Sequence, residues 1–385
     1  MRVLIAPDGF GGTLSPAAAA EAMANGWRVS SPDDELDLAP LSDGGPGFVD
    51  VLAAALPEAR RHGVRVHDPL GRQLSAELLL DGSTAYLESA AACGLHHVAE
   101  GERDVTTSTT YGVGELLVAA LDAGARRIVV GLGGSATNDG GSGLLVALGL
   151  VLRDASGQEL PPGGAALREL AGIDGHLDPR LDCVELVAAT DVESPLLGLL
   201  GASAVFGPQK GASREDVLRL DGALGRWADV LEAHLGVRVR DEPGAGAAGG
   251  AGAALLALGA TRTSGLSLVV EAVRLAERVA AADLVVTGEG SLDGSSLAGK
   301  VVAGVAGLAG EHAVPCLVLA GTVRLGRREL GAAGIEAAYS LAETCGVERA
   351  LERPAEELAA LAARVARQWS PPGRATVEGS GAPMR

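Results

Sequence analysis

Three times in this chain a short apolar run ends in an acidic residue set among glycines. Arg2–Ala6 (RVLIA) leads into Pro7-Asp8 and the loop Gly9-Phe10-Gly11-Gly12-Thr13. ELDLAPL leads into Ser42-Asp43-Gly44-Gly45, and DLVV into Thr287-Gly288-Glu289-Gly290. A helical pattern follows each loop, the first opened by Ser15 as N-cap with Pro16 at the first helical position. Strand, glycine loop, helix is the repeating unit of a mostly parallel α/β sheet. Few other folds accommodate it, and it puts the acids on one rim of the sheet, where open α/β sheets hold their ligands.

The middle of the chain reads differently. RVHDPLGRQLSAELLLDGSTAYLESA predicts two or three antiparallel strands joined by turns at Pro69-Leu70-Gly71 and Asp81-Gly82-Ser83. A helix over GVGELLVAALDAG, a strand RRIVVGL, a strand ELVAATDV and a helix over Asp216 to Leu235 follow. The α/β rhythm then returns. LSLVVEAVRLAERVA predicts one helix, SSLAGKVVAGVAGLAGE another, PCLVLAGTV a strand, and Pro354 to Gln368 a last helix. The expected fold is therefore α/β with two domains: a parallel-sheet, Rossmann-like three-layer domain from residues 1–64 plus 265–369, and an inserted α/β domain with antiparallel strands from residues 65–264. The tail 370–385, SPPGRATVEGSGAPMR, has a disordered composition.

With 385 residues, two domains fit a prior of roughly 150 residues each. Only 2% of residues are aromatic, and the formal net charge is −18. Base stacking and long-range attraction to nucleic acid are both disfavoured. Cys93, Cys183, Cys316 and Cys345 lie far apart with no metal-ligand or redox-pair spacing. Buried, reduced thiols in a cytoplasmic protein are expected. The apolar run at the start breaks at Pro7-Asp8, unlike a signal peptide, and no stretch reads as a membrane span. Ala247 to Ala260, the most apolar candidate, reads as a tightly packed helix.

Glycine loops let main-chain amides approach an anion. Gly11 and Gly12 in the first loop, Gly44 and Gly45 in the second, and Gly133, Gly134, Ser135, Thr137 and Asn138 in GLGGSATNDGG are the candidate phosphate- and substrate-binding positions. An ordinary β–α turn gives the same spelling for any one of them. Gly131-x-Gly133-x-x-Ala136 is a weak dinucleotide fingerprint whose following glycines and Asn-Asp interrupt the expected helix. Asp191 ends ELVAA, and Lys210 stands between glycines in FGPQKGA. Gly294 to Val301 nearly spells a nucleotide-binding P-loop, but Val301 stands where Ser or Thr should be, so Lys300 reads as part of the next helix, where it could line the cleft. Four acids at strand ends (Asp8, Asp43, Asp191, Glu289), with Asp293 close behind, suit Mg²⁺-assisted phosphoryl transfer. No histidine-centred triad or nucleophile elbow accompanies them.

IAPDGFGGTLS, LSDGGPG, DPLGR, TTYGVGELL, GLGGSATNDGG, FGPQKGA, PGAGAAGGAGAALLA and TGEGSLDG, in that order, resemble the bacterial-type glycerate kinase family from Met1 to about Gln368. The resemblance implies transfer of the ATP γ-phosphate to glycerate with Mg²⁺, in a cleft between two α/β domains. Under it, Asp191, Asp43 and Lys210 are the candidate catalytic residues, with Asp191 taking the hydroxyl proton. Asp8, Glu289 and Asp293 are the candidate metal ligands. Small-molecule substrates are the implied partners, and a homo-oligomer is compatible with it. Three departures stand out. Gly11 replaces the family's usual lysine (with Gly9 for serine), Pro46 its glutamate, and Ser291 its arginine. These losses keep open a kinase for another small hydroxy acid or polyol, or a catalytically impaired nucleotide-binding relative. A nicotinamide-dependent oxidoreductase rests on the fingerprint alone.

Overall fold

The computed structural model describes residues 1–297 and 300–370. Its strands are β1 (Arg2–Ile5), β2 (Glu35–Leu38), β3 (Arg60–His67), β4 (Gln73–Asp81), β5 (Thr84–Glu88), β6 (Arg127–Gly131), β7 (Leu150–Asp154), β8 (Leu170–Gly175), β9 (Glu185–Ala189), β10 (Thr261–Thr263), β11 (Leu284–Leu292), β12 (Cys316–Val323) and β13 (Ala337–Ser340). They form a five-stranded sheet, a six-stranded sheet and the antiparallel pair β7–β8.

The five-stranded sheet, ordered β13-β12-β11-β1-β2, is parallel throughout and takes strands from both ends of the chain. Its strands alternate between two cores, as a side-chain period of two requires. Val3, Ile5, Leu284, Val286, Leu317 and Leu319 face helices Pro16–Ser30 and Pro354–Trp369. Leu4, Val285 and Val318 face the opposite core, with helices Phe48–Ala55, Gly265–Ala272 and Val301–Glu311. The sheet is thus covered on both faces, the expected three-layer arrangement. From β1 the chain moves one way to β2, and from β11 the other way to β12 and β13. The topological switch point therefore lies between β1 and β11.

The six-stranded sheet, ordered β10-β9-β6-β5-β4-β3, is mixed: β3, β5, β6, β9 and β10 run the same way, and β4 alone runs against them. Ile128 and Val130 face a core of their own, whereas Val129, Val187 and Ala189 enter the core around helix Phe48–Ala55 that the parallel sheet also uses. Phe48 meets Tyr86 of β5 edge-on, ring centroids 6.5 Å apart. The expected boundary at 64/65 falls inside β3.

Three local expectations need correction. The single helix over Leu266–Ala280 is two, Gly265–Ala272 and Leu275–Ala280, because Arg274 adopts left-handed backbone, φ 55°. The Ala247–Ala257 helix carries left-handed backbone at Ala248, Gly249 and Gly250. Cys183 is exposed and Cys345 half-buried, unlike Cys93 and Cys316. Residues 371–385 of the tail lie outside the described residues.

Candidate functional site

Asp8 and Glu289 flank the switch point. Asp8 follows β1 and donates its N–H to the Gly288 carbonyl at 2.8 Å, which ties the first loop to β11. Glu289 lies within β11 and is 9% exposed. Its Oε1 is buried without a hydrogen-bond partner. Burial, and then Asp43 and Glu289, hold the Asp8 carboxyl well above its ordinary range, against the Gly9 N–H and Lys300. Burial also pushes Glu289 up, with Asp293 and Asp43 adding, against Ser296 and Lys300. The acids that end β1 and β2 thus meet those of β11 in one electrostatic cluster.

The second loop joins this cluster to the other sheet. Gly44 has φ +98°, and a Cβ there would lie 2.7 Å from the Ala189 carbonyl oxygen at the end of β9. Only glycine allows that approach. It brings Asp43 near Asp191, whose carboxyl is pushed up by burial, with Asp43 adding. Asp191 Oδ2 accepts from Leu266 N–H at 3.0 Å and so caps helix Gly265–Ala272. Asp293 instead spends its Oδ1 on Ser295, accepting from N–H at 2.9 Å and from Oγ at 2.7 Å. These bonds pull its pKa down. Among the described residues, no three acidic, histidine or cysteine side chains are grouped to hold a metal ion alone.

Other anticipated residues lie elsewhere. Lys210 is not in the acid cluster. The residue is 3% exposed, and its ammonium donates to Ser135 Oγ at 2.9 Å and to the Thr137 carbonyl at 2.6 Å. Burial brings it down to about 8, while Cys93 and Asp139 favour its charge. Its visible work is to brace the GLGGSATNDGG loop. Thr137 and Asn138 are fully buried, and Asn138 Nδ2 donates to Ser203 Oγ at 2.8 Å. Their side chains pack inside the six-stranded unit. Gly11, Gly12 and Gly134 are exposed, Gly45 is buried, and Gly133 lies against Gly45, where a Cβ would be 2.7 Å from Gly45 Cα.

Two residues, Asp139 and Glu88, escaped the sequence reading, and a third, Lys300, reads there as a helix residue that could line the cleft. Asp139 is a buried carboxylate that accepts from Thr110 N–H and Oγ1, both at 2.8 Å, and from Gly141 and Gly143 N–H. Lys300 precedes helix Val301–Glu311 as its N-cap and lines a cavity beside Glu289 and Asp293. The near-match to a P-loop was the only signal for it. Glu88 ends β5, and its Oε2 accepts from Gly47 N–H at 2.9 Å, at the positive end of helix Phe48–Ala55. An apolar strand closing on Glu was visible, but nothing in the sequence said it would reach the second loop.

Burial pushes Glu88 up from 4.5 to about 7, against the N–H groups it accepts from. The native state then binds the extra proton. The stability this group contributes is complete below pH 4.5 and is lost as pH rises through about 7. Glu88→Gln keeps an acceptor for Gly47 and removes the titration. It is expected to stabilise the fold at pH 8 by about 3 kcal/mol and to change little at pH 4.5, measured by urea unfolding at both values.

The geometry agrees with the comparisons to known proteins. The sequence model of the glycerate kinase family matches residues 3–370. The chain is 45% identical over 351 residues to the glycerate 2-kinase of Escherichia coli K12, covering 90% of this chain and 92% of that protein. It is 45% identical over 361 residues to the glycerate kinase of Bacillus subtilis 168, covering 92% and 94%. A crystal structure from Salmonella typhimurium LT2, assigned as glycerate kinase 2, superposes with a TM-score of 0.74 at 43% identity, covering 96% of this chain and 98% of that one. With its acids gathered where a parallel sheet reverses direction and its motifs matched from end to end, this chain belongs to the glycerate kinase family.

Proposed function

We propose that the chain is a glycerate kinase that transfers the γ-phosphoryl group of ATP to a hydroxyl of glycerate, giving phosphoglycerate and ADP. Beyond family membership, the observation that carries this reading is the convergence of Asp8, Asp43, Asp191 and Glu289 between the two sheets. Phosphoryl transfer needs little covalent chemistry from the protein. It needs positioned oxygens and charge compensation.

A divalent cation fits this cluster. Glu289 Oε1 is buried and unpartnered, and Asp8 is strained toward protonation by its acidic neighbours, so the carboxylates lack sufficient positive charge. Mg²⁺ is commonly held by one or two carboxylates together with substrate phosphates, so a complete protein cage is not required. Asp8 and Glu289 are the residues that would hold it; Asp293, committed to its own turn, is the weaker candidate. When bound, Mg²⁺ supplies charge neutralisation on the phosphates.

In this reading Asp191 is the general base. Its raised proton affinity is in the direction a base needs. Leu266 N–H fixes one carboxylate oxygen, and the other takes the proton from the attacking hydroxyl. The hydroxyl oxygen forms a bond to the γ-phosphorus as the bond to the β,γ-bridging oxygen breaks, and ADP departs. Asp191→Asn is expected to lower kcat by about a hundredfold or more while the KM for ATP stays within a few-fold. Lys210 positions the loop that carries Ser135.

The deciding experiment is ADP release from saturating Mg²⁺–ATP with D-glycerate, with the product identified by phosphorus NMR. The Escherichia coli relative is a glycerate 2-kinase, which supports phosphorylation at the 2-hydroxyl. No turnover above background would overturn the proposal. One observation favours a second reading. A Cβ on Gly11 would meet nothing within 4 Å, so open space stands where the family usually has lysine. Neutral polyols belong in the assay for that reason, and a clear preference for one would replace glycerate as the substrate.

A further inference from the structure

A cavity of about 550 Å³ opens beside the acid cluster, and its wall combines two chemistries. Part of it is polar, with Gly9, Gly11, Glu289, Gly290 and Lys300. Part is aliphatic: Leu341, Val347, Ala350, Leu351 and Pro354. Pro354 opens helix Pro354–Trp369, and Val347, Ala350 and Leu351 recur at the spacing of one face of helix Val347–Glu352. That face is not fully used by any core. Val347 is 59% and Leu351 61% exposed, two of few large apolar side chains left open to solvent among the described residues.

Glycerate is a three-carbon hydroxy acid with almost no apolar surface to lay on such a wall. A purine ring has two large flat apolar faces. The chain has few aromatic residues to stack on it, and aliphatic side chains provide the same burial without them. Lys300 is the only lysine or arginine on the cavity wall among the described residues. It shares the wall with the aliphatic residues, and its charge already acts on Asp8, Glu289 and Asp293.

We propose that this cavity is the nucleotide subsite: the adenine packs on Val347 and Leu351, and the triphosphate runs past Lys300 toward the Gly9–Gly12 loop. The assignment rests on ATP being the phosphoryl donor. It makes Lys300, not Lys210, the cation that meets the phosphates, and it restores a positive charge to a site without the family's usual lysine and arginine.

Calorimetric titration of the full chain with adenosine, ADP and ATP, the nucleotides with Mg²⁺, tests it. A Val347→Ser/Leu351→Ser double variant alters only exposed side chains and adds no charge. It is expected to weaken all three ligands by tenfold or more and to leave the KM for D-glycerate within twofold. Lys300→Gln is expected to weaken ATP and ADP by tenfold or more and adenosine by less than twofold. Parent-like nucleotide affinity in the double variant, or a raised glycerate KM with unchanged ADP binding, overturns the subsite while leaving the kinase reading intact. A parent chain that binds neither ADP nor ATP overturns both.

Discussion

An Asp8→Asn variant is expected to unfold at a higher temperature than the parent at pH 8 and to lose about a thousandfold in kcat, or about 4 kcal/mol of transition-state stabilisation. The two effects share one cause. Burial, Asp43 and Glu289 all disfavour the ionised form of Asp8, which lies well above its ordinary value of 3.8. A carboxyl raised in the folded state contributes stability at low pH that is lost as pH rises. Asparagine keeps an acceptor for Gly9 N–H, which Asp8 Oδ1 receives at 2.7 Å, and removes the charge. Its advantage in stability therefore grows with pH and vanishes in acid below the ordinary carboxylate range. Activity moves the other way, because the same concentrated charge would bind the dication and order the phosphates. Calorimetric Tm at pH 4 and pH 8, with kcat from ADP release, checks both halves. A variant that melts earlier at pH 8, or that keeps its kcat, contradicts the reading.

Gly26→Ala is expected to be the most damaging single-methyl change on the outer layer. The helices Pro16–Ser30 and Pro354–Trp369 approach so closely that a Cβ on Gly26 would stand 1.9 Å from the Ala359 carbonyl oxygen and 2.8 Å from its Cα. No side chain can swing away, because the obstacle is backbone. The helices must separate, uncovering the core of Trp27, Leu358 and Leu361. Alanine gains about 1 kcal/mol of helix propensity over glycine. Overpacking against rigid backbone costs about 3 kcal/mol or more, so the loss wins. Gly222→Ala, in the exposed middle of helix Arg214–Leu235, is the control. A Cβ there meets nothing within 4 Å, so it should be neutral or mildly stabilising. Urea unfolding of the pair settles the comparison, and equal midpoints would contradict the packing argument.

What could be read from the sequence follows from where the information lies. Apolar runs that end in acid and glycine revealed the strands, the parallel sheet and the positions of Asp8, Asp43, Asp191 and Glu289, because strand direction and period are local properties. The hairpin signals at Pro69-Leu70-Gly71 and Asp81-Gly82-Ser83 likewise predicted β3–β4–β5. What the sequence did not carry was the orientation of side chains within loops. Lys210 and Lys300 both sit beside glycine, yet one is buried against Ser135 and Thr137 and the other lines the cavity. Only the packing of FGPQKGA beneath GLGGSATNDGG distinguishes them. Glu88 was silent for the same reason, since its partner Gly47 lies 41 residues away. The break at Arg274 had no glycine or proline to announce it.

The Thr287 hydroxyl donates to the Ala6 carbonyl across 281 residues of chain, a measure of how far apart in the message the two halves of the acid rim are encoded. During translation the opening strand emerges first and has no β11 to join. The six-stranded unit, contiguous from Arg60 to Thr263, can assemble meanwhile. The crevice closes only when β11 has left the ribosome, so a nascent or truncated chain has its scaffold long before it has a place for phosphate.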